Sequence, residues 1–339
     1  MSKSKHILVI RLSAMGDVAM VVPVLRAFTE QYPDVKLTVL TRGFFKPFFR
    51  DLKNVEVFSI DLKGKHKGVF GLYKLSRELK QLGIDAVADL HNVIRTKLLK
   101  RFLFGLETIQ IDKGRDKKKK LVSGKMFIQL KTTFQRYADV FGQLGFPIDL
   151  SNPNFPKQSA LNQKTLSIVN EDRAFKWIGI APFAAHEGKM YPLELMEQVI
   201  DELSKAHKIF LFGGGEPEMQ QLNVLESKFE NVTNIAGMLT MNEELDVISN
   251  LDLMLSMDSG NGHLAAMLGV KVVTLWGVTH PFAGFRPFNQ PEDHSLLANR
   301  NIYPLIPTSV YGNRFPESYK DCMKSIYVED LVKKIESLL

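Results

Sequence analysis

Four stretches of this chain gather residue types that hold anions and move protons. The first is RLSAMGD, residues 11–17, directly after the apolar run HILVI. A carboxylate at the C-terminal edge of a strand, beside a new helix, stands where general bases sit in strand–turn–helix folds. Asp17 fits that place, and it equally fits a helix N-cap worth about 1 kcal/mol. The turn offers backbone N–H groups to an anion, yet Gly16 has no companion glycine before Gly43. The G-x-G-x-x-G dinucleotide fingerprint is therefore missing, which removes the best support for a nicotinamide-dependent oxidoreductase.

The second stretch is APFAAHEGKMYPLELM, residues 181–196, where Lys189 stands just before Tyr191-Pro192. Proline at a first helical position leaves the neighbouring N–H groups of that turn for phosphate, and a lysine adds a point charge for a diphosphate. A solvated surface lysine is the plain alternative. The third, LFGGGEPEMQQL, has glycines 213–215 after a strand, then Glu216 and Glu218. Glycines permit close backbone approach and an acid beyond them can hold ribose hydroxyls, although helix N-termini attract acids for dipole reasons alone.

The fourth stretch, MDSGNGHLAAMLGVKVVTLWGVTHP (residues 257–281), is the most informative. Ser259 with the N–H groups of Gly260, Asn261 and Gly262 forms an expected anion cradle. Asp258 is suited to sugar hydroxyls, His263 to a phosphate or to the core, and Thr279 to the same region. No metal site is expected: DLHN and HEGK lack zinc-helix spacing, and Asp252 has no second aspartate two residues on. A nucleophile elbow and a Walker A loop are also absent.

These stretches need strands ending in loops. Strand-like runs alternate with helical patterns: HILVIRL, KLTVLTR, VEVFSI and IDAVADLH in the first half, with VVPVLRAFTEQYP and GLYKLSRELKQLG as helices. A second series has strands WIGIAPF, KIFLFGG, LDLMLSMD and VKVVTLWG, with helices between them. This rhythm predicts parallel sheets covered on both faces. The 339 residues exceed what one core usually fills. The expected division is an N-terminal Rossmann-like domain over 1–155, a linker over 156–175, a second Rossmann-like domain over 176–315, and a C-terminal segment over 316–339. That last segment carries the amphipathic pattern VEDLVKKIESLL and has the N-terminal domain as a candidate packing partner.

A single cysteine, Cys322, excludes a disulfide framework. No apolar run reaches the ~18 residues of a membrane span and no signal-type segment follows MSKSK, so a soluble, cytoplasmic protein is expected. Between Arg95 and Arg136 thirteen Lys or Arg face three acids, an excess larger than the whole chain's net +7. The basicity is one patch, suited to a phosphorylated lipid, a membrane surface or nucleic acid. The resumption of apolar helical patterning after KGRDKKKK speaks against a disordered nucleic-acid tail, and a solvated loop is the plain reading of that run.

In this order, the four stretches resemble glycosyltransferase family 9, the heptosyltransferases of lipopolysaccharide core assembly. Arg11, Ser13, Gly16 and Asp17 match its R-x-S-x-x-G-D opening. Lys189 through Pro192 resembles its lysine before an aromatic-Pro pair. Asp258–Gly269 resembles its D-[ST]-G-x-x-H-L-A-A-x-x-G run, and Leu275–Pro281 its L-[FW]-G-x-T-x-P. DLHNVIRTKLL and FQRYADVFGQLG resemble segments on the family's acceptor side.

The resemblance implies a GT-B α/β fold of two Rossmann-like domains facing across a central cleft. It implies an inverting, metal-independent transfer with no cofactor. Asp17 becomes the general base. Lys189 and the Ser259–Gly260 turn hold the donor diphosphate, Asp258 and His263 contact donor sugar and phosphate, and Thr279 lies with them. Glu218, or less favourably Glu216, holds the ribose. Ser13, Arg95 and Arg136 face an anionic glycolipid acceptor. ADP-heptose is the implied donor, with peripheral contact at the inner face of the cytoplasmic membrane and no nucleic-acid partner. A reading of another class is a non-catalytic nucleotide-sugar or anionic-lipid binder on the same scaffold, for which a retained base has no use.

Overall fold

The structure is a computed structural model that describes residues 5–170 and 174–339. Residues 1–4, and residues 171–173 of the expected linker, lie outside the described residues. The chain divides into two compact units, one of Met1–Lys113 with Thr133–Asn154, the other of Gly114–Thr132 with Phe155–Leu339.

The first unit opens with β1 (His6–Ile10), α1 (Met15–Ala19), α2 (Val21–Gln31), β2 (Lys36–Arg42) and β3 (Val55–Ile60). It continues with α3 (Gly68–Lys80), β4 (Ala86–Asp89), α4 (Ile94–Phe102) and β5 (Glu107–Gln110). The chain leaves this unit for α5 (Arg115–Val122) and returns to it as α6 (Thr133–Gln143). All strands are parallel, in the order β3-β2-β1-β4-β5. Central β1 is buried at every residue, which is why HILVI reads as an unbroken apolar run. One sheet face packs Leu8, Ile10 and Val87 against Leu72, Leu75 and Leu79 of α3 and Leu99 of α4. Phe28 of α2 meets Phe141 of α6 at a centroid distance of 4.9 Å.

The second unit contains α7 (Gln163–Val169), β6 (Lys176–Ala181), α8 (Leu193–Ser204), β7 (His207–Leu211), α9 (Glu216–Glu226) and β8 (Val232–Asn234). Then come α10 (Met241–Ser249), β9 (Leu253–Met257), α11 (Gly260–Met267), β10 (Lys271–Trp276), β11 (Ser295–Leu297) and α12 (Val328–Glu336). Its parallel sheet has the order β11-β10-β9-β6-β7-β8.

Three features differ from the sequence reading. Residues 114–132, expected within the first domain, belong to the second unit, because Leu121 and Leu130 pack with Ala283. KGRDKKKK is not a solvated loop but the start of α5, with Lys118 buried and its Nζ 3.9 Å from the Phe285 ring centroid. The C-terminal helix α12, for which the first domain was the candidate packing partner, belongs to the second unit. It lies in the core of the second, where Leu331 and Ile335 join Met196, Val199 and Leu203 of α8.

Candidate functional site

In an open parallel sheet, ligands bind beyond the carboxyl ends of the strands where the strand order reverses. The first unit reverses between β1 and β4, the second between β6 and β9. A charged pair occupies each position.

In the second unit Lys189 follows β6 and Asp258 follows β9, and their ammonium and carboxylate lie 2.8 Å apart. Thr279, after β10, is buried and donates its hydroxyl to the same Asp258 oxygen at 3.0 Å. The lysine is held from behind. Gly312 adopts φ +80, and a Cβ there would run into the Lys189 side-chain stem. Nearby, Val278 donates its N–H to the Gly188 carbonyl at 2.9 Å, and no Cβ fits at Gly277 against that carbonyl. The lysine therefore has a fixed backbone and a braced stem, unlike a solvated surface lysine. Pro192 is the N-cap of α8 rather than its first helical residue.

Ser259 is the N-cap of α11, and His263 is buried in that helix's first turns. The expected cradle is smaller than the sequence suggested. Gly262 donates its N–H to Ser256 Oγ at 3.1 Å, and Ser256 also meets Ser259 Oγ at 3.2 Å. Gly260 and Asn261 retain the N–H groups directed to the helix N-terminus, where anions are favoured. Glu216 and Glu218 both lie in the first turn of α9. Glu218 is half-buried and accepts the Gly214 N–H at 2.8 Å, whereas Glu216 is exposed and accepts from Gln220 on its own helix.

In the first unit Asp17 is not an N-cap but the third residue of α1, accepting the Ala14 N–H at 3.3 Å. Arg11, after β1, lies 2.5 Å from its carboxylate. Arg11 spans the reversal point by donating to the Leu90 carbonyl beyond β4 at 2.8 Å. Burial works against the Arg11 charge, but Tyr137 and Asp17 outweigh it and its pKa is raised. Tyr137 donates its hydroxyl to the Asp17 carbonyl at 3.3 Å. Asp17 is thus fixed at backbone and carboxylate while remaining partly exposed.

His91, within the DLHN stretch that lacks zinc spacing and opens the acceptor-like segment DLHNVIRTKLL, accepts the Leu12 N–H on Nδ1 at 3.4 Å. Burial, then Arg11 and Lys113, push its pKa down to about 4. Asp89 holds this loop: it accepts the N–H groups of His91 and Asn92 at 3.0 and 2.8 Å and pairs with Lys100 at 2.7 Å. The signal was DLHN directly after a central strand. Gly312 had no comparable signal, since its partner is more than a hundred residues away.

Ser13 lies in the Asp17 turn and is half-buried. Arg95 is exposed in the first turn of α4. Arg136 is buried in α6 and donates to the Asp112 carbonyl at 3.1 Å, so it is not a solvated member of the basic patch. Among the described residues, no group of three His, Cys, Asp or Glu side chains is placed to hold a metal ion.

A model of glycosyltransferase family 9 (heptosyltransferase) matches residues 72–309. The chain is 24% identical to the lipopolysaccharide core heptosyltransferase OpsX of Haemophilus influenzae, covering 98% of this chain and 97% of that one. It is 21% identical to lipooligosaccharide heptosyltransferase 2 of Campylobacter jejuni, covering 96% of each. Among solved structures, a family 9 glycosyl transferase from Veillonella parvula aligns over 100% of this chain and 98% of its own, with a TM-score of 0.76 at 21% identity. E. coli ADP-heptose lps heptosyltransferase II aligns over 98% of both chains, with a TM-score of 0.70 at 17% identity. E. coli heptosyltransferase WaaC with ADP aligns over 98% of this chain and 100% of its own, with a TM-score of 0.67 at 16% identity. These likenesses identify the two Rossmann-like α/β units as a GT-B fold.

Proposed function

Because the chain belongs to glycosyltransferase family 9, we propose that it moves a heptose from ADP-heptose onto a lipopolysaccharide core or related glycolipid. The transfer inverts the anomeric carbon and uses no metal ion. The observation that carries this reading is the Lys189–Asp258–Thr279 cluster at the reversal point of the second sheet. Such a cluster suits a sugar diphosphate, with a fixed cation for the phosphates and an oriented carboxylate for sugar hydroxyls. The heptose is supported by the relatives' names, and its ADP carrier by the structural neighbours titled as an ADP-heptose transferase and as a complex with ADP.

In the reaction, an acceptor hydroxyl attacks the anomeric carbon as the bond from that carbon to the diphosphate oxygen breaks. The hydroxyl proton passes to the Asp17 carboxylate, which Arg11 keeps oriented. The electron pair of the broken bond leaves with the diphosphate. Lys189, the Ser259 hydroxyl and the N–H groups of Gly260 and Asn261 stabilise that growing charge. His263 completes the phosphate contacts from the first turns of α11, and Thr279 holds Asp258 toward the sugar. Glu218 is the better ribose ligand, since Gly214 already fixes one of its oxygens; Glu216 is the weaker candidate. Ser13, Arg95 and Arg136 take the anionic acceptor.

No helix among the described residues is long and apolar enough to cross a membrane. The proposed setting is the cytoplasm, with peripheral contact at the inner face of the membrane that carries the acceptor.

The test is incubation with ADP-heptose and a heptose-deficient core glycolipid. The expected result is an acceptor heavier by one heptose, equimolar ADP, and turnover unchanged by EDTA. Tight donor binding without transfer to any core acceptor would instead establish a non-catalytic binder.

A further inference from the structure

The second unit carries a cavity of about 550 Å³ whose lining does not include Lys189, Asp258 or Thr279, within the usual range for small-molecule sites. One wall is the end of α5 and the turn after it, including Leu121, Ser123 and Phe127. The other is the segment 300–316, including Arg300, Leu305 and Arg314. Its lining combines apolar side chains with two arginines and no acid.

The arginines differ. Arg300 lies with its guanidinium 3.6 Å from the Phe127 ring centroid and donates to the carbonyls of Ile306 and Pro304 at 2.8 and 3.5 Å. Two of the five N–H groups of a guanidinium are thereby used and three remain. Arg314 is exposed, and its side chain has no partner among the described residues. Leu305, between them, is 62% exposed. The same segment exposes Ile302 and Tyr311, and α5 exposes Lys117, Lys119 and Lys120 just before its apolar wall residues. An apolar cavity with a cationic rim, bordered by exposed apolar and basic side chains, is complementary to an anionic amphiphile rather than to a free sugar phosphate.

We propose that this cavity holds the acyl chain of one anionic phospholipid, with its phosphate on Arg314 and the unused N–H groups of Arg300. The lysines of α5 supply long-range attraction to the negative surface, and the cavity supplies the second, apolar signal that stable peripheral binding requires. This assigns a membrane contact to residues outside the transfer chemistry, so it stands or falls independently of which sugar is moved.

The test is co-sedimentation of the full chain with phosphatidylcholine vesicles, with and without phosphatidylglycerol. Binding is expected only with phosphatidylglycerol. Arg314→Glu and Leu305→Glu are each expected to weaken it by about tenfold or more, as is Ser123→Trp, which fills the cavity. Lys117→Gln/Lys119→Gln/Lys120→Gln is expected to weaken binding at low salt and to leave a residual component at high salt that Ser123→Trp abolishes. Dodecyl phosphate is expected to compete, whereas inorganic phosphate and dodecyl maltoside compete far less. Donor binding measured by calorimetry reports that each variant is folded. Wild-type partitioning of both Leu305→Glu and Ser123→Trp would overturn the proposal, as would equal competition by inorganic phosphate.

Discussion

The chemistry proposed for this chain rests on side chains held from several directions at once. Asp258 is oriented because Lys189 and Thr279 both engage one of its oxygens, and Lys189 because Gly312 leaves its stem a groove. Asp258, Lys189 and Thr279, which the sequence motifs offered as candidates, meet in the structure, and each lies in or beside a short pattern of glycine, hydroxyl and charge. The motifs could not identify Gly312, whose role exists only where two distant loops touch. Gly312→Ala introduces a Cβ at positive φ and against Lys189, a combination costing about 1–3 kcal/mol. Steady-state kinetics should show the donor KM rising by about tenfold or more with the acceptor KM unchanged. A rise in both would mean general loss of fold rather than displacement of Lys189.

At the scale of elements, the buried central strands and the six-residue edge strand β3 were legible, and the shorter edge strands were not. β1 and β9 are buried at every position and read as apolar runs. β5, β8 and β11 are edge strands of four, three and three residues whose side chains, apart from buried Val232, are polar or partly exposed. Nothing in ETIQ, VTN or SLL separates an edge strand from a loop. The helix α12 was legible as amphipathic, but its partner was not, because a hydrophobic stripe does not name the surface it covers. Since Leu331 is fully buried in the core shared with α8, Leu331→Ala should lower unfolding free energy by about 2–5 kcal/mol. Urea titration measures this. A loss below about 0.5 kcal/mol would place α12 outside that core.

For the whole molecule, charge and protonation set the working range. Burial, ahead of cationic neighbours, pushes both His91 and His280 down to about 4 from an ordinary 6.5. His6 and His294 are shifted the same way, also chiefly by burial. Each folded ring resists a proton that the unfolded chain accepts, so stability falls as pH drops from about 6.5 toward 4. Glu244, pushed up to about 7 from 4.5 by burial, acts in the opposite sense, losing stability as pH rises through that window. The histidines outnumber it. The thermal midpoint should therefore decline steadily on acidification from about pH 6.5 to 4.5. A flat profile would mean that these rings take up protons in the folded state.

In the proposed mechanism Asp17 removes the acceptor proton while the other unit holds the donor. Asn at this position keeps the side chain's size and loses its basicity. The direct measurement is kcat for Asp17→Asn alongside calorimetric donor affinity. The expected kcat is lower by about 10²–10⁴-fold, with donor affinity unchanged within about twofold. Turnover of the Asn variant at the wild-type rate would contradict this role for Asp17.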